Sequence, residues 1–178
     1  MDKGKILIVD DEEQLRSLLS RIIALEGFAV SEAGDLKTAL KFLEKDHVDV
    51  ILCDVKLPDG SGVDFVKDTR LKFPLVEIIL LTAYANVGDG VQAMKNGAFD
   101  YILKGDDNDK VVPLLFKAVE KVQLQKRVQH LEQQIGKRYG FENILGGSLA
   151  IKESIGLAKR VENTFYVCLP EKTLGFWA

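Results

Sequence analysis

The sequence contains few cysteines and no long apolar run, and each shortage excludes a class of protein. Only two cysteines, Cys53 and Cys168, occur among its 178 residues, so neither a disulfide framework nor the ligand spacing of a zinc site is expected. No apolar run approaches the roughly 18 residues that cross a bilayer. The amino terminus enters a strand pattern directly after Lys3-Gly4-Lys5, without the features of a signal peptide. We therefore expect a cytoplasmic protein without membrane contact.

Strong charge of either sign is also absent. The 24 Lys and Arg residues nearly balance the 27 Asp and Glu residues, for a formal net charge of -3, and 47% of the residues are hydrophobic. These values are typical of a globular domain rather than a disordered or fibrous chain. No cluster of Lys and Arg is interleaved with aromatic residues, so we expect no direct contact with nucleic acid.

Strand patterns and helix patterns alternate along most of the chain. Short β-branched runs predict strands over Lys5 to Asp10, Phe28 to Ala33, Val48 to Cys53, Val76 to Thr82 and Ala98 to Leu103. Amphipathic stretches predict helices over Glu12 to Glu26, Asp35 to about Lys45, Gly62 to Leu71 and Val87 to Asn96. This alternation predicts an α/β fold, a doubly wound five-stranded parallel sheet with helices on both faces.

The predicted strands end in polar residues, and in such a sheet ligands bind outside the carboxyl ends of the strands. These residues are Asp10 and Asp11, Asp54, Thr82 and Lys104. Two carboxylates about 4 Å apart repel by roughly 4 kcal/mol at an effective dielectric of 20, so three together need a cation. Mg²⁺ fits because it takes hard oxygen ligands, and Lys104 would supply a second positive charge.

Each of these residues has a plainer interpretation when taken alone. Asp10 or Asp11 could cap a helix, and Thr82 could be a hydroxyl at a strand end. Asp54 could precede an ordinary turn, which Pro58 and the glycine after Asp59 favour. The prediction of a site depends on all five positions falling at the correct strand ends.

Together the motifs resemble the response-regulator receiver family over residues 1 to about 125. They are Asp10-Asp11, Asp54 with Leu57-Pro58-Asp59-Gly60-Ser61-Gly62, Thr82-Ala83, and Tyr101 three residues before Lys104. The resemblance implies a flavodoxin-like sheet with strand order 2-1-3-4-5. It also implies that Asp54 accepts a phosphoryl group from a sensor histidine kinase, in a domain that assists this transfer without otherwise being an enzyme.

The resemblance further implies a role for each residue around the phosphoacceptor. Asp11 would bind Mg²⁺ directly, Asp10 would bind it through water, and Asp54 and the main-chain carbonyl of Lys56 would complete the protein ligands. Lys104 would neutralise charge on the transferred group.

Two further residues would form the switch of the receiver. Thr82 would move to hydrogen-bond the new phosphoryl oxygens, and Tyr101 would rotate inward and change the partner-binding face. A half-buried strand aromatic is the plainer interpretation of Tyr101.

One departure from the family concerns the residue after Lys104. The family usually has a cis proline there, whereas this chain has Gly105, which predicts a trans or more mobile loop. It motivates an alternative, a receiver-like docking and dimerisation module that is never phosphorylated. A phosphatase or a flavoprotein on the same sheet is disfavoured, because the chain lacks an Asp-x-Asp motif at Asp54 and a Ser/Thr/Gly phosphate loop after the first strand.

A helical pattern continues from about Asn108 to Gly136, beyond the predicted receiver of residues 1–122. Apolar residues in this pattern follow coiled-coil spacing at Leu124, Val128, Leu131 and Ile135. We interpret residues 123–138 as a linker that dimerises through this seam. A helix folded back on the receiver and a monomeric spacer remain open, because the repeat is short.

The remaining residues, 139–178, combine a second resemblance with an unmatched tail. Residues 141–162 resemble the opening of the AAA+ domain of NtrC-like, sigma-54-dependent activators, in which a phosphorylated receiver controls transcription. The glycine-rich phosphate loop of an ATPase does not follow, so we expect a chain truncated before that motif and without ATPase activity.

Overall fold

Strands and helices alternate along the chain in the computed structural model, which describes residues 3–83, 87–105 and 108–139, with the backbone alone at residues 108, 109 and 135–139. The sheet strands are β1 (Lys5–Val9), β2 (Ala29–Ala33), β3 (Val50–Asp54), β4 (Glu77–Thr82) and β5 (Asp100–Leu103). The helices are α1 (Glu13–Leu25), α2 (Leu36–Lys45), α3 (Gly62–Lys72), α4 (Val87–Lys95) and α5 (Asn108–Tyr139). Every predicted element is present, with ends displaced by at most three residues.

The five strands form one parallel sheet in the order β2-β1-β3-β4-β5. The chain leaves β1 toward one side of the sheet and returns to β3 on the other, so the strand order reverses between these two neighbours. The ends of β1 and β3 therefore border the crevice where such sheets bind ligands. The predicted fold class and strand order are confirmed.

Apolar side chains cover both faces of the central strands. Leu7, Ile51 and Leu80 lie in the core beneath α2, α3 and α4, whereas Ile8 and Leu52 lie in the core beneath α1 and α5. Helices on both faces of a parallel sheet require this double-sided apolar pattern. Cys53 is buried in the first of these cores, and burial raises the pKa of its thiol.

The amino-terminal edge of the sheet carries two carboxylates with basic partners. Asp49 accepts from the Lys126 ammonium at 2.6 Å and from the Lys5 main-chain amide at 2.8 Å. Glu77, fully buried at the start of β4, pairs with Arg70 of α3 and with the Lys121 ammonium at 2.9 Å. Both carboxylates are therefore compensated, and both connect α5 to the sheet.

The apolar side chains of α5 are buried in the first part of the helix and exposed farther along it. Leu115 and Val122 are buried against the sheet, whereas Leu124, Val128 and Leu131 have exposed fractions of 57%, 53% and 49%. The side chain of Ile135 and the AAA+-like segment at 141–162 lie outside the described residues. Among the helices that the structure describes, none is both long enough and apolar enough to cross a membrane.

Candidate functional site

The carboxyl ends of β1 and β3 bring three predicted acids together. One carboxylate oxygen from each of Asp10, Asp11 and Asp54 lies within 4.8 Å of the others. Asp10 is fully buried, Asp54 is 7% exposed, and Asp11 is exposed at the mouth of the crevice. The sequence predicted that these acids would gather at the strand ends, and like charges at this distance repel one another.

Lys104 places its ammonium between two of these acids. Its Nζ lies 2.7 Å from Oδ2 of Asp10 and 2.7 Å from Oδ2 of Asp54. Burial lowers the pKa of Lys104, but hydrogen bonds and attraction from Asp10 and Asp54 outweigh burial and raise the pKa above its usual value. Lys104 is therefore a permanent cation of the site at neutral pH.

The glycine that follows Lys104 does not displace the lysine from the site. The Lys104-Gly105 peptide bond is trans, and Gly105 has a φ of +96°, in the region that favours glycine. The Lys104 amide donates to the Thr82 carbonyl at 2.7 Å and continues the pairing between β5 and β4. The expectation of a trans loop is confirmed.

Close packing fixes the backbone around Asp54. The amide of Val55 donates to Leu81 at 2.9 Å, and the amide of Gly62 donates to Val55 at 2.9 Å. A Cβ at residue 62 would lie 2.2 Å from the main-chain oxygen of Asp54, so only glycine can start α3 at this distance. This requirement gives a physical reason for Gly62 in the motif after Asp54.

The loop between Asp54 and α3 is also fastened to α2. The carboxylate of Asp59 accepts from the amides of Leu36 and Lys37, both at 3.0 Å, at the amino terminus of α2. Lys56, the predicted carbonyl ligand, lies in this loop, where Lys56–Leu57 pairs with Gly60–Ser61. The ligand role of the Lys56 carbonyl stays a prediction.

The two predicted switch residues lie on neighbouring strands. Thr82 is buried at the end of β4, with an exposed fraction of 4%. Tyr101 is half-buried on β5, and its ring lies against α4, since a Cβ at Gly90 would approach Tyr101 Cδ1 to 3.5 Å. The Tyr101 hydroxyl is buried and has no hydrogen-bond partner among the described residues. An unpaired buried hydroxyl is costly, which suits a side chain with more than one position.

One residue at the site, Arg16, was not predicted from the sequence. Arg16 of α1 donates from Nη1 to the Asp10 carbonyl oxygen at 2.5 Å and from Nε to Glu32 at 3.3 Å. Helical side chains point back toward the helix amino terminus, so a long basic residue one turn into α1 could have signalled this contact.

The donor set fits a divalent cation of the hard type. Fully ionised, Asp10, Asp11 and Asp54 carry three negative charges against the positive charge of Lys104, which leaves two negative charges. All three acids offer oxygen, the donor that Mg²⁺ prefers, and Asp11 faces solvent, from which water ligands can come.

A doubly wound sheet with an acid at its third strand, two acids at its first and a lysine at its fifth defines a receiver-type domain. Residues 6–128 match the model of the response regulator receiver domain family. The chain belongs to that family.

Curated relatives are regulators that contain more than this chain. The regulatory protein AtoC of Escherichia coli strain K12 is 36% identical over 150 residues, covering 84% of this chain and 32% of AtoC. The DNA-binding transcriptional regulator NtrC of Proteus hauseri is 32% identical over 132 residues, covering 74% of this chain and 28% of NtrC. The chain thus spans about a third of these relatives and is similar to the receivers of NtrC-like two-component regulators.

Solved structures of receiver domains share this fold. The beryllofluoride-activated NtrC4 receiver domain dimer matches with a TM-score of 0.63 and 32% identity, over 66% of this chain and 98% of that chain. TrrA of Thermotoga maritima, in complex with Mg²⁺ and beryllofluoride, matches with a TM-score of 0.59 and 30% identity, over 65% of this chain and 98% of that one. The chain is therefore a two-component response regulator receiver.

Proposed function

We propose that Asp54 accepts a phosphoryl group from a histidine kinase, with Mg²⁺ held by Asp10, Asp11, Asp54 and the Lys56 carbonyl. The observation that carries this proposal is the group of three carboxylates within 4.8 Å of one another, two of which pair with the Lys104 ammonium. Bound there, Mg²⁺ would supply positive charge beside the transferred oxygens.

The transfer itself is a displacement at phosphorus. An Asp54 carboxylate oxygen attacks the phosphoryl group of the kinase phosphohistidine, a P–O bond forms, and the P–N bond breaks with its electron pair returning to the imidazole. Lys104 already lies 2.7 Å from Asp54 Oδ2, so its ammonium can follow the negative charge as it spreads onto the phosphoryl oxygens. The chain thus contributes nucleophile, cation and metal ligands.

The acyl phosphate would act on the rest of the domain through Thr82 and Tyr101. It adds about -1.5 to -2 of charge and three acceptor oxygens, which attract the Thr82 hydroxyl. The unpaired, buried hydroxyl of Tyr101 leaves that side chain free to take a second position when the end of β4 moves. Tyr101 borders a groove on α4 formed by Val87, Val91 and Met94, so its movement would reshape an exposed apolar surface.

The output of this switch would be dimerisation in the cytoplasm, and transcription control in a longer protein. Leu124, Val128 and Leu131 form an exposed apolar stripe on α5, together with Ile135 by sequence. Substituting aspartate at Leu124 and Val128 should lower the dimer fraction in sedimentation experiments, whereas aspartate at exposed Gln123 should leave it unchanged. An unchanged fraction in the first variant would favour the monomeric spacer.

Intact-mass spectrometry tests the phosphoacceptor directly. The parent chain, Asp54→Asn and Asp64→Asn are incubated with acetyl phosphate, with and without Mg²⁺. Asp64 is a matched control, because it is an exposed acid on the neighbouring helix α3. We expect one phosphoryl adduct on the parent and on Asp64→Asn, only with Mg²⁺ and removable by hydroxylamine, and none on Asp54→Asn.

The alternative function makes the opposite prediction in the same experiment. A docking module that is never phosphorylated would remain unmodified in all three proteins, although each is folded by circular dichroism. That result would reject the proposal and direct attention to Gly105 as the departure that disables transfer.

A further inference from the structure

Arg16 holds the main chain at the point where the first strand meets the acidic site. Its Nη1 donates to the Asp10 carbonyl oxygen at 2.5 Å, and its Nε donates to Glu32 of β2 at 3.3 Å. The Arg16 side chain is 16% exposed, so the guanidinium lies in a partly buried position between α1 and β2. A planar fork with fixed donor directions is suited to holding two acceptors at once.

The two neighbouring acids of the site differ in how they are held. The Asp10 carboxylate accepts from the Glu12 amide at 2.9 Å and contacts Lys104 at 2.7 Å, and the Asp10 amide donates to Ala33 at 3.1 Å. The Asp11 carboxylate is exposed and has no hydrogen bond or ion pair among residues 3–83, 87–105 and 108–139. The direction of the Asp11 side chain therefore depends on the Asp11 main chain. Arg16 holds the carbonyl of the peptide group that joins Asp10 to Asp11.

We propose that Arg16 is a positioning residue for the metal site. By fixing the Asp10-Asp11 peptide plane, it directs the Asp11 carboxylate toward Asp10 and Asp54. The inference rests on the proposed function, because it assigns Arg16 a part in the Mg²⁺ binding described there. Residues that orient metal ligands typically change metal affinity by about 10- to 100-fold when they are replaced.

Electrostatics alone predicts the opposite change in Mg²⁺ affinity when Arg16 is replaced. The Arg16 guanidinium contacts the Asp10 main chain, and its positive charge repels a cation bound nearby, so removing only this charge would strengthen Mg²⁺ binding. Loss of positioning would weaken that binding instead. The direction of the change separates the two roles of Arg16.

The first experiment is a calorimetric titration of Mg²⁺ into the parent, Arg16→Met and Arg21→Met. Arg21 is an exposed arginine on the same helix, so its replacement makes the same charge change away from Asp10. We expect the dissociation constant to rise about tenfold in Arg16→Met, at the low end for such residues, and to stay within about twofold in Arg21→Met. An equal or lower dissociation constant in Arg16→Met overturns the proposal.

A second measurement needs no metal. Hydrogen exchange of the Asp11 and Glu12 amides in chelator should be faster in Arg16→Met than in the parent, because the peptide plane has lost its anchor. Glu32→Gln should weaken Mg²⁺ binding in the same direction by a smaller factor, since it frees one half of the Arg16 fork. Unchanged exchange at both amides contradicts the proposal, even if affinity falls.

A second variant and the Mg²⁺ affinity of the parent separate the possible outcomes. If Arg16→Met does not fold, Arg16→Lys keeps the charge and loses the fork, and the same weakening of Mg²⁺ binding is expected. If the parent itself binds no Mg²⁺, the proposed function fails. If the parent binds Mg²⁺ and the Arg16 variants bind it equally well, the positioning role alone fails.

Discussion

The two ends of the parallel sheet both carry buried carboxylates, but they balance charge in different ways. At the amino-terminal edge, Asp49 and Glu77 have cationic partners in Lys126, Arg70 and Lys121. At the carboxyl-terminal edge, one carboxylate oxygen from each of Asp10, Asp11 and Asp54 lies within 4.8 Å of the others, and the Lys104 ammonium pairs with Asp10 and Asp54. The acids of the amino-terminal edge are compensated within the fold, whereas the acids of the carboxyl-terminal edge carry more negative charge than Lys104 balances.

In a sheet of this kind, uncompensated charge marks the functional edge. A compensated carboxylate contributes to the folded state, and losing one partner is costly. An excess of like charge costs stability, and proteins retain such excess at sites that bind a cation or transfer a charged group.

The largest effect on stability is expected at the amino-terminal edge. Glu77→Gln should lower the free energy of unfolding by about 3 kcal/mol, because the Arg70 guanidinium would then face a neutral, buried glutamine amide instead of a carboxylate. Chemical denaturation measures this change. Lys121→Met is the control, with a loss below about 1 kcal/mol, since the Lys121 side chain is 46% exposed. A loss below about 1 kcal/mol for Glu77→Gln would remove the contrast between the edges.

An intermediate effect on stability is expected at Asp59, which lies near the carboxyl-terminal edge. Its carboxylate accepts two main-chain hydrogen bonds. Asp59→Ala should cost about 1 kcal/mol, because the amides of Leu36 and Lys37 lose their acceptor at the start of α2. Denaturation in chelator measures the loss, and Asp59→Asn should restore part of it. Equal stability of the alanine variant and the parent would contradict the structural role of this carboxylate.

A smaller effect of opposite sign is expected at Asp54, the proposed phosphoacceptor. Asp54→Asn in chelator should raise the free energy of unfolding by up to about 1 kcal/mol, because it relieves repulsion from Asp10 and Asp11 that outweighs the loss of the Lys104 pair. The same denaturation series checks the sign. A clear destabilisation would mean that Lys104 compensates this edge fully, and that the proposed charge excess is absent.

The smallest effect is a change in the pH dependence of stability at Asp49. Burial raises the pKa of Asp49, but hydrogen bonds from Lys126 and the Lys5 amide outweigh burial and leave the pKa below its usual value. The ionised group therefore stabilises the fold above about pH 4, and this contribution disappears as pH falls through the lowered pKa. Asp49→Asn should reduce the slope of unfolding free energy against pH below about pH 4. An unchanged acid slope would contradict the pairing.

The sequence predicted the strands and the acidic edge, because these follow from local patterns, whereas the strand order came from resemblance to the receiver family. Apolar runs end where charged residues begin, and a parallel sheet gathers all strand ends of one kind at one edge. Asp54, Asp10 and Lys104 could therefore be placed together, although the Lys104 ion pair joins residues that are 50 positions apart. The roles of Lys56, Thr82 and Tyr101 came from resemblance to the family and remain predictions.

Partner choice across long sequence separations could not be predicted. Glu77 begins an otherwise apolar strand, which signals a buried charge, but nothing in the sequence names Arg70 and Lys121 as its partners. Asp59 lies in a segment whose proline and glycine predict a turn, but its carboxylate accepts from the amides of Leu36 and Lys37, more than 20 positions away. Such contacts depend on how helices pack on the sheet, which a pattern along one strand does not contain.

The most direct test of the contrast between the edges is thermal unfolding with and without Mg²⁺. The parent and Glu77→Gln should both gain stability with rising Mg²⁺, because binding to the folded state alone raises its unfolding free energy. Asp11→Asn should lose most of this gain, since it removes an acid of the uncompensated edge. A gain that survives in Asp11→Asn, or that disappears in Glu77→Gln, would contradict the assignment of metal binding to the carboxyl-terminal edge.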